Sequence, residues 1–447
     1  MIGTRKAQDL YQATFSSIEK QLTSDAWSWS QPLRRSAIAG FAEVGFPTTK
    51  LEDWKFTNLE AIAKIPFQPA KVPTISLTVE ELISVCPQAA AARHRLVFVN
   101  GYFSDRLSLT DQLPEGVAAE SLGLTSTTHI ELIESHLARY ASSEGRPLVA
   151  LNTAFMQDGA LVRVAKGAYI SEPIHLIFVT VRNGSPILIS PRNLVVLESG
   201  AQAQIVESYV AISDEAYLTN AVTEVVAGAD SVLEYYKLQD DSNSGFHIDT
   251  LQINQERGSN VTSHAVTLGG ELVRNDLNVV LNGEGADCSL NGLYITGGTQ
   301  HVDNHTVIDH AKAHGTSREL YKGILDGKSS AVFNGSIIVR KDAQRTDARQ
   351  NNKNLLLSSD AAINSKPQLE INADDVKCAH GTSIGHLDEG SVFYLRSRGI
   401  GEDEARSVLT YGFANEVLKK MKVREVREVL EGSLLSRLAQ IHSSIEA

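Results

Sequence analysis

The chain has 447 residues, of which 42% are hydrophobic and 21% charged, with 12 prolines, a net charge of −12 and a pI near 5.6. That is enough for two to four ordinary domains or one long solenoid with appendages. The acidic balance argues against wrapping nucleic acid and against binding an anionic membrane surface, since both need clustered Lys and Arg.

Cys86, Cys288 and Cys378 are far apart and odd in number, with no CxxC pair, so no disulfide framework is expected and a reducing compartment fits best. Residues 1–30 carry acidic side chains and lack an apolar core of the kind a secretory signal needs. The most apolar run, Ile174 to Val181, has the length of a strand and not of a membrane span. A cytoplasmic protein with neither nucleic-acid nor membrane partners is expected.

Residues 1–45 show helical spacing at Leu10, Phe15 and Ile18 and again at Leu33, Ile38 and Phe41, before Gly45-Phe46-Pro47-Thr48-Thr49 breaks it. An aromatic-charged segment from Leu51 to Leu59 follows, with Trp54 and Phe56 expected to pack on a core. Val79–Val85 and His129–Tyr140 read as helices, and Arg95 to Gly101 as a strand ending in a turn. Residues 1–145 are therefore taken as an N-terminal helical or mixed region.

From about Pro147 short Val-, Ile- and Thr-rich runs alternate with turns. The turn glycines Gly200, Gly228, Gly258, Gly285 and Gly315 lie 28, 30, 27 and 30 residues apart. A strand-built repeat of that length, with no helix inside it, predicts a parallel β-helix in preference to a sandwich, whose turns recur at shorter intervals. The fold class expected is mainly β: a β-solenoid core over 146–398, with strand character to about Tyr394, and a helical region over 399–447. Glu402, Asp403 and Glu404 suit a helix N-terminus. Beyond them Ala405, Val408, Leu409, Val417, Leu418 and Met421, then Val426, Val429, Leu430, Leu434, Leu435, Leu438 and Ile441, form more apolar surface than a free helix tolerates. These helices are expected to pack on the solenoid end, on a partner, or on both.

Cys378 and His380 stand two residues apart in Asp374-Asp375-Val376-Lys377-Cys378-Ala379-His380-Gly381, so an extended chain projects both from one face. A thiolate and an imidazole suit a soft metal or an iron–sulfur fragment, yet they are half of the usual four ligands. The plainer reading, a packed thiol beside a hydrogen-bonded imidazole, stays open. His301, Asp303 and His305 likewise share a strand face with metal-ligand spacing, although hydrogen bonding within the solenoid is the favoured reading there. Tyr321 to Ser329 imitates a phosphate-binding loop, but Lys322 stands where the first glycine belongs and no helix is expected to follow. ATP hydrolysis is not expected of this chain. No nucleophile elbow and no convincing carboxylate pair appear.

Taken in order, Phe333-Asn334-Gly335, the run from Thr346 to Ser358, the Cys378/His380 stretch and Phe393-Tyr394-Leu395-Arg396-Ser397-Arg398-Gly399-Ile400 resemble the SufB/SufD family of iron–sulfur cluster assembly proteins. Glu52-Asp53-Trp54-Lys55-Phe56-Thr57 is similar to the family too. Lys377-Cys378-Ala379-His380-Gly381 follows the SufD form of the stretch and not the Glu-His-Glu of SufB. The resemblance implies a right-handed parallel β-helix and a non-catalytic scaffold that pairs with SufB and docks the ATPase SufC. It puts Lys377, Cys378 and His380 at the SufB interface, with Cys378 and His380 as cluster-assembly candidates. SufC docking falls to the C-terminal helices, with Glu402, Arg406, Leu409, Phe413 and Val417 as candidates. No cofactor is expected to rest stably on this chain alone, though iron or a transient iron–sulfur cluster shared with the partner is compatible, as is a homodimer when the chain is isolated. The competing readings are a SufB-type paralogue and a cytosolic β-solenoid enzyme that binds metal or acts on carbohydrate.

Overall fold

The structure, a computed structural model, describes residues 2–22, 25–75, 77–124 and 129–443. Helices α1 (Ile2–Leu22) and α2 (Gln31–Val44) open the chain. Pro32 sits in the first turn of α2, where its missing N–H costs nothing, and Gly45 ends the helix at φ 71° with its N–H on the Phe41 carbonyl. Tyr11, Phe41 and Phe46 meet edge to face, with ring centroids 5.3–5.9 Å apart. Two short helices follow, α3 (Glu60–Lys64) and α4 (Val79–Val85). Helix α4 starts on a capping box in which Thr78 and Glu81 satisfy each other's backbone N–H groups. Helices α5 (Ile130–His136) and α6 (Pro147–Phe155) lead into the solenoid. The buried Arg34 places its guanidinium on the Ala154 and Met156 carbonyls, where a cation favours the end of a helix.

Two facing sheets, of 11 and 10 strands, form the solenoid. From Arg192–Leu197 onward, successive strands go to alternate sheets, and each pairs in parallel with the strand two further along. In the second sheet the register runs Val232, Asn260, Asp287, Thr316, Asp347, Lys377, one residue per coil. This is the parallel β-solenoid that the repeat length predicts.

The corner is set differently from the glycine count. The left-handed backbone position recurs at Gly200, Asp230, Gly258, Gly285, His314 and Arg345, at φ 58–72°. Each donates its N–H to the next coil's turn, as in His314 to Gln344 and Arg345 to Asp375. Gly228 and Gly315 lie beside the corner instead. A Cβ on Gly228 would come within 2.7 Å of the Leu197 carbonyl oxygen, so close approach fixes that glycine.

The lumen is packed with Leu, Ile, Val and aromatics. Phe98, Phe178 and Tyr209 stack on one another in successive coils at 4.9 Å, each pair worth about 0.5–1.5 kcal/mol beyond area burial. The solenoid starts within the N-terminal region: His94–Val99 joins the second sheet, and Val117–Ser121 closes the first as an antiparallel edge.

At the far end the last strand stops at Gly385, short of the strand character expected to Tyr394. There Asp388 accepts the Ser391 N–H at 2.9 Å as an N-cap and starts helix α7 (Glu389–Ser397). Helices α8 (Glu402–Leu418) and α9 (Arg424–Ser443) fold back along the flank of the second sheet, not across its end. Ala414, Val417, Leu418, Val426, Leu430 and Leu434 bury against Val206, Leu238, Val266 and Ile324 there. Helices α1, α2 and α6 cover the first sheet in the same way through Phe155, Leu218 and Phe246. No described helix is long and apolar enough to cross a membrane.

Candidate functional site

Cys378 and His380 lie on the final strand of the second sheet, Lys377–Gly385. Strand alternation turns both toward the lumen: Cys378 follows Val261, Cys288, Ser317 and Ala348, coil by coil, and His380 follows Leu290, Glu319 and Gln350. The two residues keep the shared face expected of them, with Cα atoms roughly 6.5 Å apart along the strand. Cys378 is half-buried beside Ala348, Val376 and Leu369, and its thiol is raised by burial, so it is protonated at neutral pH unless a metal displaces the proton. His380 and Lys377 are exposed. Together they line an open cavity of about 360 Å³ with Arg349, Gln350 and Asn351.

The lumen beneath is polar, as it is in earlier coils around the buried Glu207, which accepts from Asn193, Thr223, Tyr209 and Tyr235. Glu319 is buried, and burial pushes its carboxyl up to about 7, partly offset by the Gln350 amide, which donates to it at 2.7 Å. Gln350 reaches this position because residue 335 is glycine; a Cβ there would stand 2.2 Å from the Gln350 Nε2. The Phe333-Asn334-Gly335 motif thus has a packing reason. Asn352, Asn354, Tyr294 and Ser365 continue the hydrogen-bonded layer, and Ser365 meets Thr382 of the last strand at 2.9 Å.

No strand or helix among the described residues caps the last coil. Among the described residues, Ala362–Ile371 and Lys377–Gly385 each pair on one side only, leaving two parallel strand edges free. Ile371, Ile384, Phe393 and Tyr394 are exposed nearby in the chain, at 42–72%. An open strand edge is a template for pairing, and soluble proteins normally cover or blunt it.

The other predicted residues fall elsewhere. His301, Asp303 and His305 lie on the outer face of the first sheet under the N-terminal segment. Thr57 hydroxyl meets His301 Nε2 at 2.9 Å, Ser330 meets His301 Nδ1 at 2.7 Å, and His305 meets Asp303 at 3.1 Å. Arg274 pairs with Asp303 at 2.6 Å, bonds the Asp53 carbonyl and lies 4.3 Å from the Trp54 ring centre. Burial alone would raise the Asp303 carboxyl, but Arg274 and the hydrogen bonds from His305 and Thr57 hold it well below the usual range. These side chains already have partners, and among the described residues no group of three or more His, Cys, Asp and Glu is placed to hold a metal. Trp54 packs here as expected; Phe56 does not, being 43% exposed. Tyr321–Ser329 is the end of one strand and the turn that leads to the next at Ser330, with Lys322 held by Glu416.

Of the docking candidates, Glu402 is exposed, and Arg406 pairs with Glu389 and Glu402. Leu409 is half-buried, Phe413 lies under Lys322, and Val417 is spent entirely on the second sheet. Sequence reasoning missed Glu319, Gln350 and the free edge. Their signals were present only as a polar residue at an inward position and a missing terminal cap.

Fold and site define a class: a parallel β-solenoid whose open end carries a thiol and an imidazole. The family model described as SUF system FeS cluster assembly, SufBD core domain, matches residues 179–413, and that of the SufBD protein N-terminal region matches 5–176. The chain belongs to the SufBD family of iron–sulfur cluster assembly proteins. It is 36% identical over 403 residues to a SufBD family protein of Synechocystis, covering 88% of each chain. It is also similar to the iron–sulfur cluster assembly protein SufD of Escherichia coli, at 29% over 92% of each chain. The SufD of Bacillus subtilis is 25% identical, over 90% of this chain and 92% of its own.

Proposed function

We propose that this chain is a non-catalytic scaffold subunit of a Suf assembly complex in the cytoplasm, pairing with SufB through its open last coil. The observation that carries this is the uncapped edge itself, because a solenoid buries its terminal coil only by stacking another layer on it. A second β-solenoid of the same family supplies that layer with matching strand spacing. The partner would then complete the ligand set that Cys378 and His380 leave half filled. An iron–sulfur fragment in transit is cargo at this junction, held by residues of both chains.

In this reading His380 binds metal or moves a proton, since an imidazole does either near neutral pH. The Cys378 thiol, raised by burial, becomes a ligand only when metal is at hand. ATP hydrolysis falls to SufC, docked on the exposed side of α8 through Glu402, Arg406 and Leu409. Phe413 and Val417 serve indirectly, by seating that helix on the solenoid. When SufB is absent, the same edge pairs with a second copy of this chain. A metal enzyme built on His301, Asp303 and His305 has less support, because hydrogen bonds already engage all three.

The test is His380→Ala in cells. The variant is expected to form the complex normally and to lower maturation of iron–sulfur proteins. Normal maturation would remove His380 from the site.

A further inference from the structure

A basic groove runs along the outer face of the second sheet, in a chain whose net charge is −12. The register stacks Arg318 on Arg349 and Lys322 on Lys353. The turn after α8 adds Lys419 and Lys420 from the side. A cavity of about 350 Å³ lies between sheet and helix, lined by Arg318, Arg349, Lys353 and Lys420 and by Glu319 and Glu416. It shares Arg349 and Asn351 with the cavity at Lys377, Cys378 and His380.

Two carboxylates answer these cations. Glu416 serves both Lys322 and Lys353, at 3.6 Å from the latter. Asp347 serves Arg318 at 2.9 Å and Arg349 at 3.7 Å. Lys420 has a neutral partner, the Asn291 side-chain oxygen at 3.0 Å. Burial lowers the Lys420 ammonium, against the pull of Glu416, and the like charges of Lys419 and Lys353 lower it further. Lys322 is lowered by burial and by the same kind of crowding, against the pull of Glu416. Like charges held this close repel one another, and an anion between them relieves the repulsion.

We propose that this groove docks an acidic, carboxylate-bearing segment of a protein partner, laid between the second sheet and α8 with one end at the Cys378–His380 edge. The spread of the cations selects this occupant. A single phosphate needs donors converging on one point, whereas Arg318, Arg349, Lys353, Lys420 and Lys377 follow one another along two joined cavities. A long nucleic acid would meet the repulsion of the whole acidic chain, while a short acidic segment meets only the groove. The flank part of the groove, from Arg318 to Lys420, does not depend on the SufB pairing, and only the end at Lys377 adjoins that edge.

The test uses the full-length protein and a fluorescent hexaglutamate peptide, read by anisotropy, beside a single-stranded oligonucleotide of similar charge. Hexaglutamate is expected to bind at low salt and to weaken about tenfold at about 0.15 M salt. The double substitution Arg349→Gln/Lys353→Gln, at an exposed and a half-buried position, is expected to weaken it by about tenfold again. Lys166→Gln, on an early coil, should leave it unchanged. Circular dichroism confirms that each variant is folded, and Lys377→Gln gives an independent variant at the groove's other end. No binding at low salt, equal binding by the double variant, or tighter binding of the oligonucleotide would each overturn the proposal.

Discussion

The two ends of the solenoid are built on opposite plans. At the start, Phe98, Phe178 and Tyr209 stack in the lumen, with the Tyr209 hydroxyl on the buried Glu207, the antiparallel strands Tyr102–Phe103 and Val117–Ser121 terminate the two sheets, and helices cover the flanks. At the finish, Glu319, Gln350 and Asn352 occupy the lumen, both sheets stop on bare parallel edges, and α7 carries Phe393 and Tyr394 outward. The first plan stabilises an isolated chain. The second forgoes stability in a chain that does not finish its own core. Such an end makes physical sense when another layer is laid on it.

The largest effect that sharpens this contrast is expected at the closed end. Phe178→Ala opens a cavity in the aromatic stack and should cost about 3–5 kcal/mol in urea unfolding. The polar end should respond in the opposite sense. The folded Glu319 carboxyl keeps its proton up to about 7, against an ordinary value of 4.5, so the protein loses stability as pH rises through that interval. Glu319→Gln removes this loss and should gain about 3 kcal/mol at pH 8 while changing little at pH 4. A variant no more stable than the parent at pH 8 would mean that the Glu319 carboxyl is in contact with water.

Asp303, on the outer face that the N-terminal segment covers, titrates the other way. Its carboxyl is depressed in the fold, so its contribution is complete above the unfolded value of about 3.9 and fades as pH falls below that. Asp303→Asn should cost about 2 kcal/mol at neutral pH and flatten the acid limb of the stability curve. The smallest effect belongs to the open edge. Ile384→Lys is expected to change the stability of the isolated chain by less than about 0.5 kcal/mol, because the residue is already half exposed. A large loss there would mean that the edge is part of this chain's own core.

The solenoid was legible in the sequence because every coil must return to the same corner, which imposes a period whatever residue fills it. The filling was less legible. Asp230, His314 and Arg345 take the left-handed corner that glycine was expected to hold. The pairing of Cys378 with His380 on one face follows from strand alternation alone. Contacts between distant segments were beyond reach: Thr57 meets His301 and Asp303, and Lys322 meets Glu416, through packing that no local pattern encodes. The α8 stripe announced burial but not its target. Val417 faces the solenoid flank, while Val408 on the same stripe is 48% exposed.

The most direct test of the open-end account is affinity capture of the tagged chain from its own cells under anaerobic conditions, with partners identified by mass spectrometry. Wild type is expected to recover SufB and SufC together, and Ile384→Lys to lose SufB while keeping SufC. Recovery of the wild-type chain alone, or undiminished SufB with the edge variant, would contradict it.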